Sequence, residues 1–413
     1  MAQGYSSYNI ISSEISYKNS PNIDAFGRLR VSNPFTLFDS SHRFNDNGLW
    51  STATATSGAA VFNAAQGLVD LNVTAASGSE VIRETTKVFS YQPGKSLLVL
   101  STFVMSPAKT NLIQRVGYYG AANGYYLEQD GTTVSFVERT SVSGSLVNTP
   151  VAQASWNIDP MDGSGPSGIT LDLTKSQILF MDLEWLGVGT VRIGFVINGN
   201  FYVCHKFHHA NILATTYITT ASLPLRYEIT NTGITSGVST LKQICSTVLS
   251  EGGYELNGLQ QAIGIPINAP RTLGTAGTFY PVISLRLKTA RLDGIVILSA
   301  LSAMPISTGN FNWQLVATGT TTGGSWVSAG TNSCVEYNIT GTTFAGGRIL
   351  ASGFFNATNQ GSSQIDLLKE ALFKFQLERN GLTSTPYELT LIIASNGGSD
   401  TVVASLDWEE ISR

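Results

Sequence analysis

The sequence is poor in charge. Asp, Glu, Lys and Arg together make up 13% of its 413 residues. Helical surfaces are usually rich in Glu, Lys and Arg, which accept helical geometry at little cost, so this scarcity argues against a helical protein. There is no run of about 18 apolar residues, the length a membrane helix needs, and no insertion into a membrane is expected. The opening MAQGYSSYNI lacks a basic region followed by an apolar core, so it does not read as a secretory signal. The three cysteines, Cys204, Cys245 and Cys334, are far apart and form no CxxC pair. Neither a disulfide framework nor a zinc ribbon is indicated, and reduced, mostly buried thiols are expected. The formal net charge is −4, and no run of Lys and Arg offers a path for phosphates. Nucleic acid is not an expected partner.

The chain is instead rich in glycine, with 41 residues, and in Ser, Thr, Asn and Ala. These are the residues of turns and short strands. From Phe89 onward, "SLLVLSTFVMS", "YYLEQDGTTVSFVER", "SQILFMDLEWLG", "TVRIGFVINGNFYVCHKF", "LRYEIT" and "LKQICSTVLS" read as strands. Asp130-Gly131 and Asn198-Gly199 mark hairpins. The Gly- and Pro-bearing stretch 251–277 reads as a linker, after which "YPVISLRLK", "GIVILSALSAM", "FNWQLVA", "SCVEYNIT", "GRILASGFF", "ALFKFQLER", "YELTLIIAS" and "TVVASLDWEEI" resume the pattern. The fold class is all-β: two antiparallel β-sandwich or jelly-roll-like domains, 46–250 and 278–413, preceded by an extended arm, 1–45. One short helix is expected in "SSQIDLLKEAL", capped by Ser363 with Asp366 near its positive end. "LDLTKSQILFMDLEW" from Leu171 and "IDLLKEALFKFQLER" from Ile365 align at an offset of 194 residues, pairing Asp172 with Asp366 and Glu184 with Glu378. That alignment suggests one topology used twice, against chance likeness of amphipathic segments.

Chemical constellations are few. The histidines of "HKFHH" (His205, His208, His209) could hold a metal. On a strand His205 and His209 face one way and His208 the other, and no acidic residue or cysteine follows, so a polar strand end is the preferred reading. Asp182 and Glu184 of "FMDLEWLG" share a strand face roughly 6 to 7 Å apart, a spacing paired carboxylates use in glycoside cleavage. Their alternation with Met181, Leu183 and Trp185 favours an outward polar face instead. There is no GxSxG, and the glycines of "GVGTVRIG" flank a strand rather than open a helix. The protein is not expected to be an enzyme, and no metal or cofactor is expected.

The head of the chain is the densest stretch. "NIDAFGRLRVSNPFTLFDSSHRF", Asn22 to Phe44, crowds arginines and aromatics together. With "YQPGKSLLVLSTF", "DLEWLGVGTVRIGFVINGNFYVCHKFHHAN", "LPLRYEITN" and "LKQICSTVLSEGGY", in order up to Tyr254, it resembles a widespread family of virion structural proteins of tailed bacteriophages, common in phages of marine and cyanobacterial hosts. The resemblance implies a non-enzymatic building block of the particle exterior, made in the host cytoplasm and working with other virion proteins. It brings no catalytic residues. Virion parts are repeated, so a homo-oligomer is expected, with a trimer favoured. The arm then becomes an assembly segment in which Asp24, Phe26, Arg28, Arg30, Phe35, Phe38 and Arg43 meet a sandwich of the same or a neighbouring copy. Removing residues 1–44 is accordingly expected to leave a folded body that fails to join the particle. Three roles stay open: a tail, baseplate, neck or fibre component, which two domains and an anchoring arm favour; a capsid decoration or head fibre; and a receptor-binding protein whose second sandwich engages a host-surface glycan through Trp313 or Trp326.

Overall fold

The computed structural model describes residues 9–11, 14–16, 23–25, 27–31, 33–253, 257–357, 363–366 and 374–412. They form an all-β protein of two compact units, one comprising Met1–Thr85 and Phe89–Tyr254, the other Thr86–Val88 and Glu255–Arg413. Helical structure among the described residues is confined to short 3-10 turns such as Gln153–Ser155 and Thr289–Arg291.

The first unit is built from two antiparallel sheets. One runs in the order Val147–Ala152, Thr133–Thr140, Gly124–Asp130, Leu112–Tyr119, Leu225–Asn231, Glu80–Thr85, Trp50–Ala55. The other runs Asn200–Phe207, Val191–Ile197, Gln177–Leu183, Leu97–Val104, Ser239–Glu251, Leu68–Val73, Ala59–Asn63, and Pro34–Ser41 also pairs with Ser239–Glu251. Both hairpin signals act where they were expected. Asp130 pairs with Thr133, and Ile197 pairs with Asn200. Asn198 and Gly199 both have positive φ, 52° and 78°, the twist a two-residue hairpin loop requires. Alternate residues of both sheets, among them Phe103, Phe136 and Phe195, are fully buried between them, and Phe136 stacks on Trp156 at 4.1 Å.

The second unit repeats the principle with a different strand plan. Leu259–Gly264, Thr401–Ser412, Ile295–Pro305 and Ser363–Asp366 lie in one sheet, with Arg271–Thr272 also paired to Thr401–Ser412. The other sheet runs Val327–Ser328, Val335–Asn338, Tyr280–Leu287, Glu388–Ser395, Asn310–Thr322, Thr343–Ala345, and Arg348–Asn356 pairs with Asn310–Thr322. Leu285, Trp313, Leu315, Leu391, Leu406 and Trp408 are central to its core.

Several expectations need correction. The end of the arm belongs to the first sandwich of the same chain, one of the two places expected for it, but the boundary at 45 is too late: Pro34–Ser41 is a strand paired with Ser239–Glu251 from Pro34↔Glu251 to Ser41↔Cys245 across one bulge. Cutting the chain at 44 would remove that strand, so the expected folded remnant does not follow. The expected linker 251–277 contains Leu259–Gly264 and Arg271–Thr272, both strands of the second unit. The expected helix begins as a strand, with Ser363–Asp366 pairing Ala300–Ala303, and residues 367–373 lie outside the described residues. Among the described residues the apparent repeat is not kept. Asp172 sits in a turn before the core strand Gln177–Leu183, while Asp366 is in a strand. The described part of "ALFKFQLER" holds only a bridge from Gln376 to Ile297 and the two-residue strand Arg379–Asn380, rather than the long strand expected. Cys204 and Cys334 are buried and Cys245 is exposed, all three as free thiols.

The Phe136–Trp156 stack closes the core of the first unit, so Phe136→Ala is expected to lower its stability by about 3–5 kcal/mol. Urea unfolding followed by near-ultraviolet circular dichroism measures this.

Candidate functional site

The densest polar constellation lies in the first unit, under the chain segment 23–30. Asp182 is on the Gln177–Leu183 strand, directly across from Arg192 of the neighbouring strand. Its Oδ2 accepts a hydrogen bond from Arg192 Nε at 2.9 Å and a second from Arg192 Nη2, and it pairs with Arg30 Nη2 at 2.6 Å. Two residues on, Glu184 Oε2 accepts from Arg28 Nη2 at 2.7 Å. Arg28 Nε donates to Asp24 Oδ2 at 2.5 Å and its Nη1 to the Gly94 carbonyl at 3.0 Å. Arg30 Nη1 lies 3.1 Å from Glu251, and Arg192 Nη2 also donates to the Ile23 carbonyl. Four carboxylates thus meet three guanidiniums.

The local backbone sets this up. Ile23 bridges Leu29, Asp24 N donates to the Arg28 carbonyl at 2.8 Å, and Gly27 turns the chain with φ +80°. Arg28 and Arg30 therefore leave a tight loop on the side facing the sheet end. Gly189 closes the turn beyond Glu184, because a Cβ there would lie 1.7 Å from the Glu184 carbonyl oxygen.

Asp24, Asp182 and Glu184 are 2%, 1% and 0% exposed. This overturns the outward polar face expected for Asp182 and Glu184: the face exists, but residues 23–25 and 27–30 cover it. Asp182 Oδ1 and Glu184 Oε1 have no hydrogen-bond partner among the described residues. Burial pushes the Glu184 carboxyl up to about 7, and the nearby charges of Asp24 and Glu251 act in the same direction against Arg28. Burial likewise raises Glu251, opposed by Arg30. The arrangement is a clamp. Its carboxylates are engaged by guanidiniums and covered by chain, which suits holding rather than acid–base turnover.

Of the other predicted segment residues, Phe38 is buried against Phe89 and Trp50, at 4.8 and 6.1 Å between ring centroids. Phe35 is half-buried on the same strand. Arg43 is exposed, its guanidinium 5.0 Å from the Phe44 ring. Phe26 lies outside the described residues.

The histidines of "HKFHH" diverge. His205 accepts from Asn157 N at 3.1 Å, and His208 faces Thr190 Oγ1 at 3.2 Å. His209 stacks on Tyr217 at 3.8 Å, with Nε2 2.8 Å from Glu138. Burial, with His208 nearby, lowers His205 to about 4. No three His, Cys, Asp or Glu residues are grouped to hold a metal among the described residues.

In the second unit the two tryptophans considered for glycan contact are occupied. Trp313 is 4% exposed in the core, and Trp326 is half-buried with the Arg286 guanidinium 3.9 Å above its ring. Binding through either is excluded by the condition that the platform be open. A cleft of about 440 Å³ lies elsewhere on this unit, lined by Phe279, Asn310, Asn312, Gln314, Phe354 and Asn396 among others. Sequence reading missed it. The alternation Asn310, Phe311, Asn312, Trp313, Gln314 was the available signal, because it puts three amides on the face opposite the core.

No protein-family model and no curated protein matches the sequence. Among solved structures, the chain is similar to the carbohydrate recognition domain of Emp47p, with a TM-score of 0.34 and 10% identity over 53% of this chain and 97% of that one. It is also similar to the cellulose induced protein Cip1, with a TM-score of 0.33 and 11% identity over 51% and 96% of the two chains. A protein of unknown function from Shewanella oneidensis MR-1 gives 0.35 and 9% over 53% and 88%.

Two outcomes follow from the clamp. Arg192→Ala removes a partner from buried Asp182 and is expected to cost about 3–5 kcal/mol, while Arg28→Ala takes the guanidinium from buried Glu184 and is expected to destabilise less at low pH, where Glu184 is protonated, than at high pH. Chemical denaturation of the two variants compares them. Glu184 has a folded pKa above its unfolded value, so its contribution is fully present below the unfolded pKa, about 4.5, and is lost as pH rises through about 7. Glu184→Gln, which imitates the protonated form, is expected to gain stability relative to the parent between about pH 5 and about pH 8, read as a shift in the urea midpoint.

Proposed function

We propose that this protein is a non-enzymatic structural component of a tailed-bacteriophage particle, placed on the tail, baseplate, neck or a fibre. The observation that carries the reading is the ordered series of blocks from Asn22 to Tyr254, which resembles that virion family. The structure gives those blocks a shared physical task. "DAFGRLRV" supplies Arg28 and Arg30, "DLEWLG" supplies Glu184, "TVRIG" supplies Arg192 and "STVLSEGGY" supplies Glu251, so four separated motifs meet in one clamp.

The non-enzymatic part of the reading is supported by the same clamp. Asp182 and Glu184, the pair with spacing suited to glycoside cleavage, are held under arginines. A protein that works as a rigid part needs such cross-links between distant segments more than it needs an open, reactive cleft. Assembly as a homo-oligomer, a trimer in the first instance, goes with this role.

The anchoring function first given to the whole arm is narrowed. Ile23, Asp24, Arg28, Arg30 and Pro34–Ser41 are engaged within the first unit, so assembly contacts of the arm belong to exposed residues such as Leu29, Val31 and Phe44. A capsid decoration is the alternative location, with the same physics.

Cryo-electron microscopy of the intact particle, with mass spectrometry of purified virions, tests the proposal. Copies on the tail or neck are the expected result. Copies over hexon centres would move the protein to the capsid, and absence from purified particles would overturn the reading.

A further inference from the structure

We propose that the second unit carries a binding site for a neutral carbohydrate on the outer face of its larger sheet, with Phe354 as the platform and Asn312 as a hydrogen-bonding anchor. The site follows from strand register. In the strand Asn310–Thr322, Asn312 pairs with Phe354 on one side and with Ala394 on the other. Phe311 and Trp313 point into the core, so Asn310, Asn312 and Gln314 point out. Ala394 is small, and with Gly277 it leaves a floor to the cleft of about 440 Å³, a size within the usual range for a small-ligand site.

The chemistry of the lining selects the ligand. Phe354 is 80% exposed on a regular strand, where its neighbour Phe355 stacks on Phe311 at 5.0 Å within the unit. One ring of the pair serves the fold and the other faces outward into the cleft. A flat aromatic face suits the C–H side of a pyranose ring. Around it stand the side-chain amides of Asn310, Asn312, Gln314 and Asn396. Amides offer both donors and acceptors, matching hydroxyls that do the same. Asn312 Oδ1 is buried and has no hydrogen-bond partner among the described residues, although a buried polar atom ordinarily finds one. The oxygen is shielded, so the amide turns toward the cleft before a ligand hydroxyl can meet it. No Asp, Glu, Lys or Arg is among the residues lining the cleft, which disfavours sulfated, phosphorylated or sialylated ligands.

This site does not depend on the virion reading and goes beyond it. Failure of the binding experiment would leave the particle location standing, and the reverse holds as well.

The test uses the full chain and titration calorimetry against neutral disaccharides containing glucose, galactose, mannose or N-acetylglucosamine, with a sialylated trisaccharide as the charged comparison. At least one neutral sugar is expected to bind, and the sialylated one to bind more weakly. Phe354→Ala is expected to weaken the interaction by about tenfold or more, as loss of a central aromatic contact commonly does. Phe354→Trp should retain it, and Asn312→Ala should weaken it. Because Phe354 is exposed, Phe354→Ala should leave the unfolding midpoint unchanged, so lost binding is not lost folding. Failure of every neutral sugar to bind, or binding indifferent to both Phe354→Ala and Asn312→Ala, overturns the proposal. Phe354-dependent self-association in sedimentation, without sugar binding, would overturn it too and assign the face to protein contact.

Discussion

The first unit depends on the compensation of buried carboxylates by arginines brought from elsewhere in the chain. Asp182 and Glu184 end a central strand with no access to water. An ionised carboxylate in such a place is costly unless paired and hydrogen-bonded. Arg192 is supplied locally by the next strand, but its bonds go to Asp182 and the Ile23 carbonyl and not to Glu184. Arg28 and Arg30 make up the difference, and they come from a segment 156 residues away from Glu184 in sequence. The arm is therefore a condition for the sheet end as it stands, and the sheet end is what orders the arm. Burial is the main reason Glu184 holds its proton more tightly than an ordinary glutamate, and the neighbouring charges of Asp24 and Glu251 add to it against the pull of Arg28.

How far the sequence made this legible varies with the range of the interaction. Hairpins were readable because their cause is local: Asn198-Gly199 adopts positive φ at two adjacent residues, and few other pairs do so readily. The core strands of both sandwiches were readable because burial imposes alternation or continuous apolar runs. The strands between 50 and 73 went unread because Trp50–Ala55, WSTATA, and Ala59–Asn63, AAVFN, carry small and polar residues whose pairing is fixed by their neighbours. The start of "SSQIDLLKEAL" shows the opposite error, in which local helix signals lose to pairing with Ile295–Pro305.

The clamp was half legible. The density of arginine, aspartate and phenylalanine at the head of the chain marked it as special, and the paired Asp182 and Glu184 were noticed separately. Nothing in composition or periodicity joins them, since the contact is set by the tertiary path of the chain. The alternation around Asp182 was correctly read as two faces, and the error lay in assuming that a polar face meets solvent. Buried polar faces occur where another segment supplies countercharges, and the unassigned arginines were the available clue.

A contrast between the two polar surfaces sharpens the functional argument. In the clamp, charged groups are matched by opposite charges from the same chain, and chain covers them. In the cleft, uncharged amides stand around an exposed ring. Phe354 is one of several large apolar side chains left exposed, and what sets it apart is its place on a cleft lined by Asn310, Asn312 and Gln314. The clamp answers to the demands of its own fold, whereas the cleft does not. A surface whose composition the fold leaves unexplained answers to something outside the chain, and sugar binding against self-association is the comparison that decides which.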